Sequence, residues 1–338
     1  MNTDNTQASR FRYKFIWLIT ATLFIIGGAP FIGMTYIPLN SILDPQNTLE
    51  GQIFWSIRIP RVIISTLAGS ALALSGMAFQ AVFRNALATP FTLGVASGAS
   101  LGAASYIWLG LNLSFAGFSG QTLFAFLGAT LSISLVYTLT QIKKGFSTAT
   151  MLLAGVAINF FFSSVILFTQ YFSNFTDSTR ILRWLMGGLE VIGFESVATL
   201  LPFVVMGCAI VFYLTRELNL LTVSEEVAIS RGVNAKQTKL ILFFATSLMV
   251  GGVVSLCGPI GFVGMMAPHI CRLIFGADHS RLSIATLLFG GLFLTACDTV
   301  ARTVIAPAEM PVGIITALLG GPFFIWLLIS NRFEKQGM

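Results

Sequence analysis

Four residues of the types that bind metal ions lie within a short stretch of the sequence: His269, Cys271, Asp278 and His279. Zinc sites use such side chains, but at recurring spacings that this stretch does not match. Arg272 and Arg281 stand among and beside them and would repel a cation. We therefore expect no metal site, and we interpret Asp278 or His279 as the N-terminal cap of a helix that begins near Arg281.

The sequence also lacks the residues of an energy-converting site. No G-x-x-x-x-G-K-[ST] phosphate loop occurs in it, so we expect no ATPase site of that type in this chain. Proton-driven carriers need acidic groups within their spans, whereas Asp298 and Glu309 fall at predicted helix ends. We therefore predict a non-enzymatic chain with no cofactor of its own, whose energy comes from elsewhere.

The composition is that of a membrane protein. The chain has 338 residues, of which 55% are hydrophobic and 9% are charged, against about 25% charged in soluble domains. Ten spanning helices of about 20 residues each would use about 200 residues, which leaves no room for a separate catalytic domain. Lys and Arg number 19 against 13 Asp and Glu, but they stand singly between apolar runs, so we predict no nucleic-acid binding.

Apolar windows of spanning length define the predicted helices. They cover 15–36, 61–81, 92–111, 120–141, 148–170, 194–214, 239–257 and 311–330. A short irregular piece, 258–270, and a second piece, 282–297, give ten helices if both cross. The first window is too long for the apolar region of a signal sequence, so we interpret it as a span. The predicted organisation is a cytoplasmic N-terminal tail (1–14), a single all-α transmembrane domain (15–330) and a cytoplasmic C-terminal tail (331–338).

The distribution of basic residues predicts the orientation. With both termini in the cytoplasm, 14 of the 19 Lys and Arg residues lie on the cytoplasmic side, as the positive-inside bias requires. The remaining five are Arg58, Arg61, Arg180, Arg183 and Arg302. Snorkelling or local pairing is the simpler explanation for Arg180 and Arg183, which lie near Asp177 and Glu190. The more specific explanation is that the outer arginines bind an acidic partner outside the membrane.

The longest cytoplasmic connection, 216–238, contains a short amphipathic helical pattern between Leu220 and Val233. Helices that lie on lipid are usually rich in Lys and Arg on their polar face. This one opens instead with Glu225 and Glu226, which suit the first turn of any helix. We therefore predict a protein partner for this segment.

A series of short motifs follows in order along the chain. In the first half they are Arg58-Ile-Pro-Arg61, Gly76-Met-Ala-Phe-Gln80, Arg84-Asn85 and Leu93-Gly-Val-Ala-Ser-Gly98. In the second half they are Trp184-Leu-Met-Gly187, Ser224-Glu-Glu-Val-Ala228, Gly258-Pro-Ile-Gly-Phe-Val-Gly264, Pro268-His269, Gly276-Ala-Asp-His279, Asp298 with Arg302, Pro311-Val-Gly313 and Gly320-Gly-Pro-Phe323. Over about residues 52 to 330, the sequence resembles the FecCD-type permeases, the membrane subunits of ABC importers for ferric siderophores, haem and cobalamin.

The resemblance implies a type II ABC importer in the inner membrane, with ten helices per subunit. A second permease copy or a homologous permease would complete a central path. ATP-binding subunits, which use ATP and Mg, would lie below, and a periplasmic or lipid-anchored solute-binding protein above. The family's outer arginines, which receive glutamates of the binding protein, match Arg58, Arg61 and Arg302. Its coupling segment, which lies against the ATPase, matches Glu225, Glu226, Ala228, Arg231 and Gly232.

The resemblance also implies a path along the fifth and tenth helices. The fifth helix carries four polar residues, Asn159, Ser163, Ser164 and Thr169. They either line a weakly polar path or bond to neighbouring helices. An inner gate is predicted at Ser147, Thr148 and Thr150. Ser224 and Arg231 depart from the family's usual Gly and Leu, so we expect the coupling surface to be specific to its own ATPase.

The predicted cargo is a ferric siderophore, with the catecholate type in view, because ferric siderophores are the commonest cargo of the resembling family. Haem and cobalamin are the alternatives. An alternative of a different class is a membrane-embedded metalloenzyme built on His269, Cys271, Asp278 and His279. That alternative predicts bound metal in the purified chain and no need for an ATPase.

Overall fold

The structure, a computed structural model, describes residues 2–43, 48–115, 118–142, 148–190 and 192–330. Its helices are α1 (Asn2–Gly28), α2 (Leu39–Leu43), α3 (Leu49–Ile53), α4 (Ile59–Phe83), α5 (Val95–Trp108), α6 (Gly120–Ile142), α7 (Thr148–Phe172), α8 (Phe175–Leu185), α9 (Glu195–Tyr213), α10 (Thr215–Val223), α11 (Glu225–Ser230), α12 (Ala235–Cys257), α13 (Val263–Phe275), α14 (His279–Ala301) and α15 (Val312–Ile329). A 3₁₀ turn (Ala29–Phe31) follows α1, and a π-helical turn (Phe54–Arg58) precedes α4. Two short strands, β1 (Ser114–Phe115) and β2 (Phe118–Ser119), pair antiparallel between α5 and α6.

Ten apolar helices form the bundle. Within the described residues, eight helical stretches are long and apolar enough to cross a membrane, and they contain α1, α4, α6, α7, α9, α12, α14 and α15. The two shorter helices α5 and α13 complete the set. The prediction of an all-α polytopic membrane protein with ten helices is confirmed.

Several helix boundaries differ from the predicted ones, most clearly at the starts of α1, α12 and α13. Helix α1 begins at Asn2, so most of the expected N-terminal tail continues the helix. Helix α12 begins at Ala235, four residues before the predicted window, because Oδ1 of Asn234 accepts the amide of Gln237 and caps it. Helix α13 begins only at Val263, since Gly258 and Phe262 both have a φ of +67°, which interrupts a helix.

The non-helical residues 258–262 lie within the bundle, as expected for an irregular piece. Unbonded backbone groups are costly in a membrane, so neighbouring segments must satisfy them. The amide of Gly188 donates to the carbonyl oxygen of Cys257 at 2.8 Å, and the amide of Gly313 donates to that of Gly187 at 3.1 Å. The end of α12 is therefore joined to the segment after α8, and that segment is joined in turn to the start of α15.

Helix α4 is the buried centre of the bundle. A Cβ atom added at Gly69 would meet the carbonyl oxygen of Gly290 in α14, and one added at Gly76 would meet that of Gly264 in α13. Only glycine permits backbones to approach this closely. Such packing holds helices together in lipid, where the hydrophobic effect between them is absent.

We name the two ends of the bundle outer and inner after the orientation that the basic residues predict. The outer end carries the start of α4, the end of α14 and the amphipathic helix α8, which the sequence analysis did not predict. The inner end carries α10 and α11. There Nζ of Lys14 in α1 donates to the carbonyl oxygen of Ile274 at 2.8 Å, and the Arg281 guanidinium lies 4.6 Å from the centre of the Phe11 ring.

Candidate functional site

The outer end of the bundle holds five charged residues that we call the outer arginine cluster: Arg58, Arg61, Asp298, Arg302 and Glu309. Arg61 is at its centre. Its Nε and Nη2 atoms lie 3.0 and 2.9 Å from Oδ1 of Asp298, and its Nη1 donates to Oε2 of Glu309 at 2.6 Å. Nε of Arg302 lies 3.5 Å from Oδ2 of Asp298. Asp298 therefore bridges two arginines.

Two arginines of the cluster also bind the turn that follows α1. Nη2 of Arg302 donates to the carbonyl oxygen of Ala29 at 2.9 Å. Arg58 donates to the carbonyl oxygens of Pro30 at 3.0 Å and Thr35 at 2.6 Å. Carbonyl groups at a helix C-terminus have no partner within the helix and attract cations. The two guanidinium groups therefore hold the end of α1 against α4 and α14.

Burial determines what this cluster can do. Asp298 has no exposed surface, and Arg61 and Arg302 are only 7% and 4% exposed. The side chain of Glu309 is 41% exposed and is the member of the cluster that solvent reaches most. Buried charges persist only when they are paired and hydrogen-bonded. Three cations and two carboxylates leave one positive charge in excess.

The structure brings the three predicted docking arginines together, but it encloses them among their own partners. Their role in docking stays a prediction. The sequence alone does not predict the bridging roles of Asp298 and Glu309. Asp298 and Arg302 stand four residues apart on α14, which is a recognisable pairing signal. Arg61 lies 237 residues from Asp298, so no local pattern indicates that contact.

The two arginines on α8 remain exposed. Nη2 of Arg183 lies 2.8 Å from Oε1 of Glu190, so the expected local pairing is confirmed for this residue. Asp177 instead accepts a hydrogen bond from Nδ2 of Asn174 at 2.8 Å. Arg180 has no acidic partner within the part of the chain that the structure describes.

A cavity of about 570 Å³ opens at the outer end beside α8. Its polar lining includes Gln121, Arg180, Glu195 and Ser255, from α6, α8, α9 and α12. No local pattern of the sequence indicates this cavity, because its walls come from helices that are distant in the chain. Side chains of both charge signs line it, so it favours neither a cation nor an anion.

At the inner end, we call α10 and α11 together the inner segment. Oγ of Ser224 caps α11 by accepting the amide of Val227 at 2.9 Å. Ala228 is fully buried and packs with Leu221 of α10. Gly232, with a φ of +84°, follows the end of α11 in a conformation that glycine adopts without strain. The helix is thus fixed by its own ends and by one buried side.

The five predicted coupling residues fall into two groups. Ala228 and Gly232 shape the segment, and Glu225 accepts a hydrogen bond from Nζ of Lys239 at 2.5 Å. Lys239 is buried, so this ion pair holds α11 on α12. Glu226 and Arg231 are exposed and form no ion pair with any described residue. They are the charged members of the set that a partner could contact.

The two most exposed apolar side chains of the inner segment share this surface. Val223 is 70% exposed and Ile229 is 58% exposed. Large exposed apolar residues beside charges are typical of protein–protein contacts. The sequence analysis did not place Ile229 in the coupling set, although its position next to buried Ala228 puts it on another side of α11.

The predicted path residues on α7 have different environments. Nδ2 of Asn159 donates to the carbonyl oxygens of Phe91 and Thr92 at 3.3 and 3.2 Å, which joins α7 to the segment before α5. Thr169 is buried, and its hydroxyl donates to the carbonyl oxygen of Ile166. Ser163 and Ser164 are exposed on the surface of α7. The structure therefore shows a bond to a neighbouring segment for Asn159, a bond within α7 for Thr169, and surface positions for the two serines.

The structure also shows where the residues predicted for the inner gate lie, and where those considered for a metal site lie. Thr148 and Thr150 form the first turn of α7, whereas Ser147 lies outside the described residues. Across the described ranges, no group of three or more His, Cys, Asp and Glu residues could hold a metal ion. Asp278 caps α14 by accepting the amide of Ser280, as predicted for Asp278 or His279.

Comparison with known proteins agrees with this architecture. Residues 18–330 match the model of the FecCD transport family. The cobalamin import permease BtuC of Halobacterium salinarum is 40% identical over 304 residues, which cover 90% of this chain and 80% of that protein. The hemin transport permease HmuU of Yersinia pestis is 36% identical over 296 residues, which cover 86% of this chain and 88% of that protein. The uncharacterized ABC transporter permease YvrB of Bacillus subtilis is 38% identical over 290 residues, which cover 86% of this chain and 81% of that protein.

A solved structure gives the same result for the fold. It is described as a metal-chelate type ABC transporter in an inward-facing conformation, and it matches with a TM-score of 0.81 and 30% identity. The match covers 93% of this chain and 98% of that one. The bundle is therefore a type II ABC importer permease fold. The chain belongs to the FecCD transport family, the permease subunits of ABC importers.

Proposed function

We propose that this chain is the permease of an ATP-driven importer that moves a ferric siderophore into the cytoplasm. The observation that carries this proposal is the near full-length match to a transporter described as of the metal-chelate type, at a TM-score of 0.81. Relatives named for hemin and cobalamin also carry cargo in which an organic ligand encloses a metal.

The helices proposed to line the path support an enclosed metal rather than a bare ion. Helices α7 (Thr148–Phe172) and α15 (Val312–Ile329) contain no Asp, Glu, Lys or Arg. A bare metal ion would need carboxylate or thiolate ligands along such a route. A chelated metal needs none, because its ligands travel with it. The exposed hydroxyls of Ser163 and Ser164 give this route a weakly polar character.

The inner segment is the proposed contact with the ATP-binding subunit. Its exposed surface combines Val223, Glu226, Ile229 and Arg231. The outer arginine cluster is the proposed contact with the solute-binding protein, which is periplasmic or lipid-anchored. Glu309 is the exposed member that binds Arg61, so a carboxylate of the binding protein can take its place. The excess positive charge of the cluster favours such an acidic partner.

The rest of the assembly follows from the same proposal. Two permeases, either two copies of this chain or this chain and a homologous permease, enclose the path in the inner membrane. Both termini lie in the cytoplasm. The chain carries no cofactor, and ATP and Mg are used by the partner subunit.

The test is uptake by iron-starved cells with and without this chain. The labelled compounds are ferric siderophores, including catecholates, together with haem and cobalamin. Loss of uptake of one ferric siderophore, restored by the wild-type chain, is the expected result. Selective loss of haem or cobalamin uptake would reassign the cargo, and unchanged uptake of every compound would refute the siderophore proposal. Co-purification of an ATP-binding subunit tests the importer assignment separately.

A further inference from the structure

Helices α4 and α14 run antiparallel and are bonded to each other by side chains along their outer halves. From the outer end inward, these bonds join Arg61 to Asp298, Ser65 to Thr295 at 2.9 Å, and Ser70 to the carbonyl oxygen of Leu287 at 2.8 Å. Between them lies the close crossing of Gly69 and Gly290. Sliding one helix along the other would break several buried bonds together. The pair therefore behaves as one rigid body.

At the inner end, α10 is bonded to both members of this pair. Nε of Arg84, the residue that ends α4, donates to the carbonyl oxygen of Leu221 at 2.9 Å. Nδ2 of Asn219 donates to Oδ1 of Asp278, the residue that caps α14, at 2.8 Å. Oδ1 of Asn219 accepts the amide of His279 at 2.8 Å. Helix α10 is thus attached at the ends of two membrane-spanning helices.

Asn219 is the stronger of these two attachments. The first amides of a helix have no partner within the helix, and here a residue of another helix supplies one for His279. Oδ1 of Asn219 also lies 2.8 Å from the ring Nδ1 of His279, which is buried. If α10 moved away from α14, the His279 amide and a carboxylate oxygen of Asp278 would each lose this partner.

We propose that α4, α14 and α10 form a single strut between the outer arginine cluster and α11, with Asn219 as the positioning residue at its inner joint. The α14 helix of 23 residues is about 35 Å long at 1.5 Å per residue, which spans the membrane. Only Ser224 separates α10 from α11. A displacement of the outer cluster therefore reaches α11 as a rigid-body movement. This inference rests on the proposed contacts of the importer with its two partners.

A first test needs no partner protein. Amide hydrogen exchange is measured on the full chain in nanodiscs for the wild type, Asn219→Ala and Asn234→Ala. Asn234 is a matched control, because it caps α12 at the same end of the bundle through a bond within its own segment. We expect Asn219→Ala to accelerate exchange at least tenfold in α10 and the first turn of α14, and Asn234→Ala to leave both unchanged. Unchanged exchange in α10 for Asn219→Ala would contradict the proposal that Asn219 holds α10 on α14.

A conservative variant covers the case in which Asn219→Ala does not fold. Asn219→Asp has the same size and keeps the acceptor for the His279 amide, but it replaces the donor to Asp278 by a second carboxylate. We expect faster exchange in α10 for this variant too, and less so when Asp278→Asn is added. Equal exchange in the single and double variants would contradict the Asn219–Asp278 contact.

A second test measures transmission in the complete transporter. The readout is the ratio of ATP hydrolysis with and without the solute-binding protein, in nanodiscs that contain the co-purified ATPase. Asn219→Ala should lower this ratio at least fivefold towards one, whereas Asn234→Ala should keep it within twofold of the wild type. A wild-type ratio in Asn219→Ala would refute the strut and leave the importer standing. Failure of the wild-type chain to retain any ATPase would refute the proposed function. The exchange experiment would still test whether Asn219 holds α10 on α14.

Discussion

The charged side chains at the two ends of the bundle differ in how far they are buried. The outer arginine cluster holds its charges inside the protein, with Asp298 fully buried between Arg61 and Arg302. In the inner segment, Glu225 pairs with the buried Lys239 but is itself 48% exposed, and Glu226 is exposed as well. Buried pairs cost several kcal/mol when one partner is removed, whereas exposed pairs contribute about 0–1 kcal/mol. The outer charges therefore serve first to fix the helices, whereas the exposed inner charges of Glu226 and Arg231 can meet a partner.

The largest expected effect on stability comes from Asp298→Asn. The change leaves two buried arginines without their shared carboxylate, so we expect a loss of about 3–5 kcal/mol in the free energy of unfolding. Thermal unfolding in a single detergent, followed by the amount of monodisperse protein, measures it. A loss below about 1 kcal/mol would mean that water or lipid reaches these arginines and that the two ends differ less than we infer.

A smaller loss is expected for Glu225→Gln. The substitution leaves Lys239, whose side chain is 8% exposed, with a neutral partner. Because the Glu225 side chain is 48% exposed, solvent offsets part of the cost, and we expect about 1–2 kcal/mol. The double change with Lys239→Met should recover part of this loss in the same unfolding assay. No recovery would show that the charge pair is not what holds α11 on α12.

Arg183 and Glu190 form an exposed ion pair at the outer end, in contrast with the buried ion pairs of the outer arginine cluster. Arg183→Gln removes the ion pair with Glu190, in which both side chains are about two-thirds exposed. We expect a loss of less than about 1 kcal/mol, with weak dependence on which partner is changed. Unfolding curves of Arg183→Gln and Glu190→Gln should nearly coincide. A loss as large as that of Asp298→Asn would remove the distinction between exposed and buried charges.

The smallest effect on stability and a large effect on assembly are expected for Ile229→Ser. The side chain is 58% exposed, so the unfolding free energy should change by less than about 0.5 kcal/mol. Retention of the ATP-binding subunit on an affinity-tagged chain should nevertheless fall severalfold. Ala228→Ser, at the buried neighbour, is the opposite control and should destabilise the segment. Full retention of the ATPase by Ile229→Ser would exclude this surface as the contact.

The bundle could be predicted closely because each span is a local property of the sequence. Runs of apolar residues gave the ten helices, and the glycines at 258, 261 and 264 indicated the irregular start of α13. Sites that depend on distant contacts were not accessible in this way. Arg61 and Asp298 both stand at helix ends in the sequence, yet only the antiparallel packing of α4 on α14 brings them together. Helix α8 was missed because it is amphipathic and too short to form an apolar window.

The antiparallel pairing of α4 with α14 has a consequence for biosynthesis. Arg61 enters the membrane early, but its carboxylate partner is 237 residues further along the chain, which corresponds to about 10–50 s of synthesis at about 5–20 residues per second. Until then the nascent chain contains an unpaired cation at the edge of its central helix, as well as a glycine groove without its counterpart. A polypeptide interrupted before α14 would retain both defects permanently. Membrane quality control could recognise such a fragment by that uncompensated arginine.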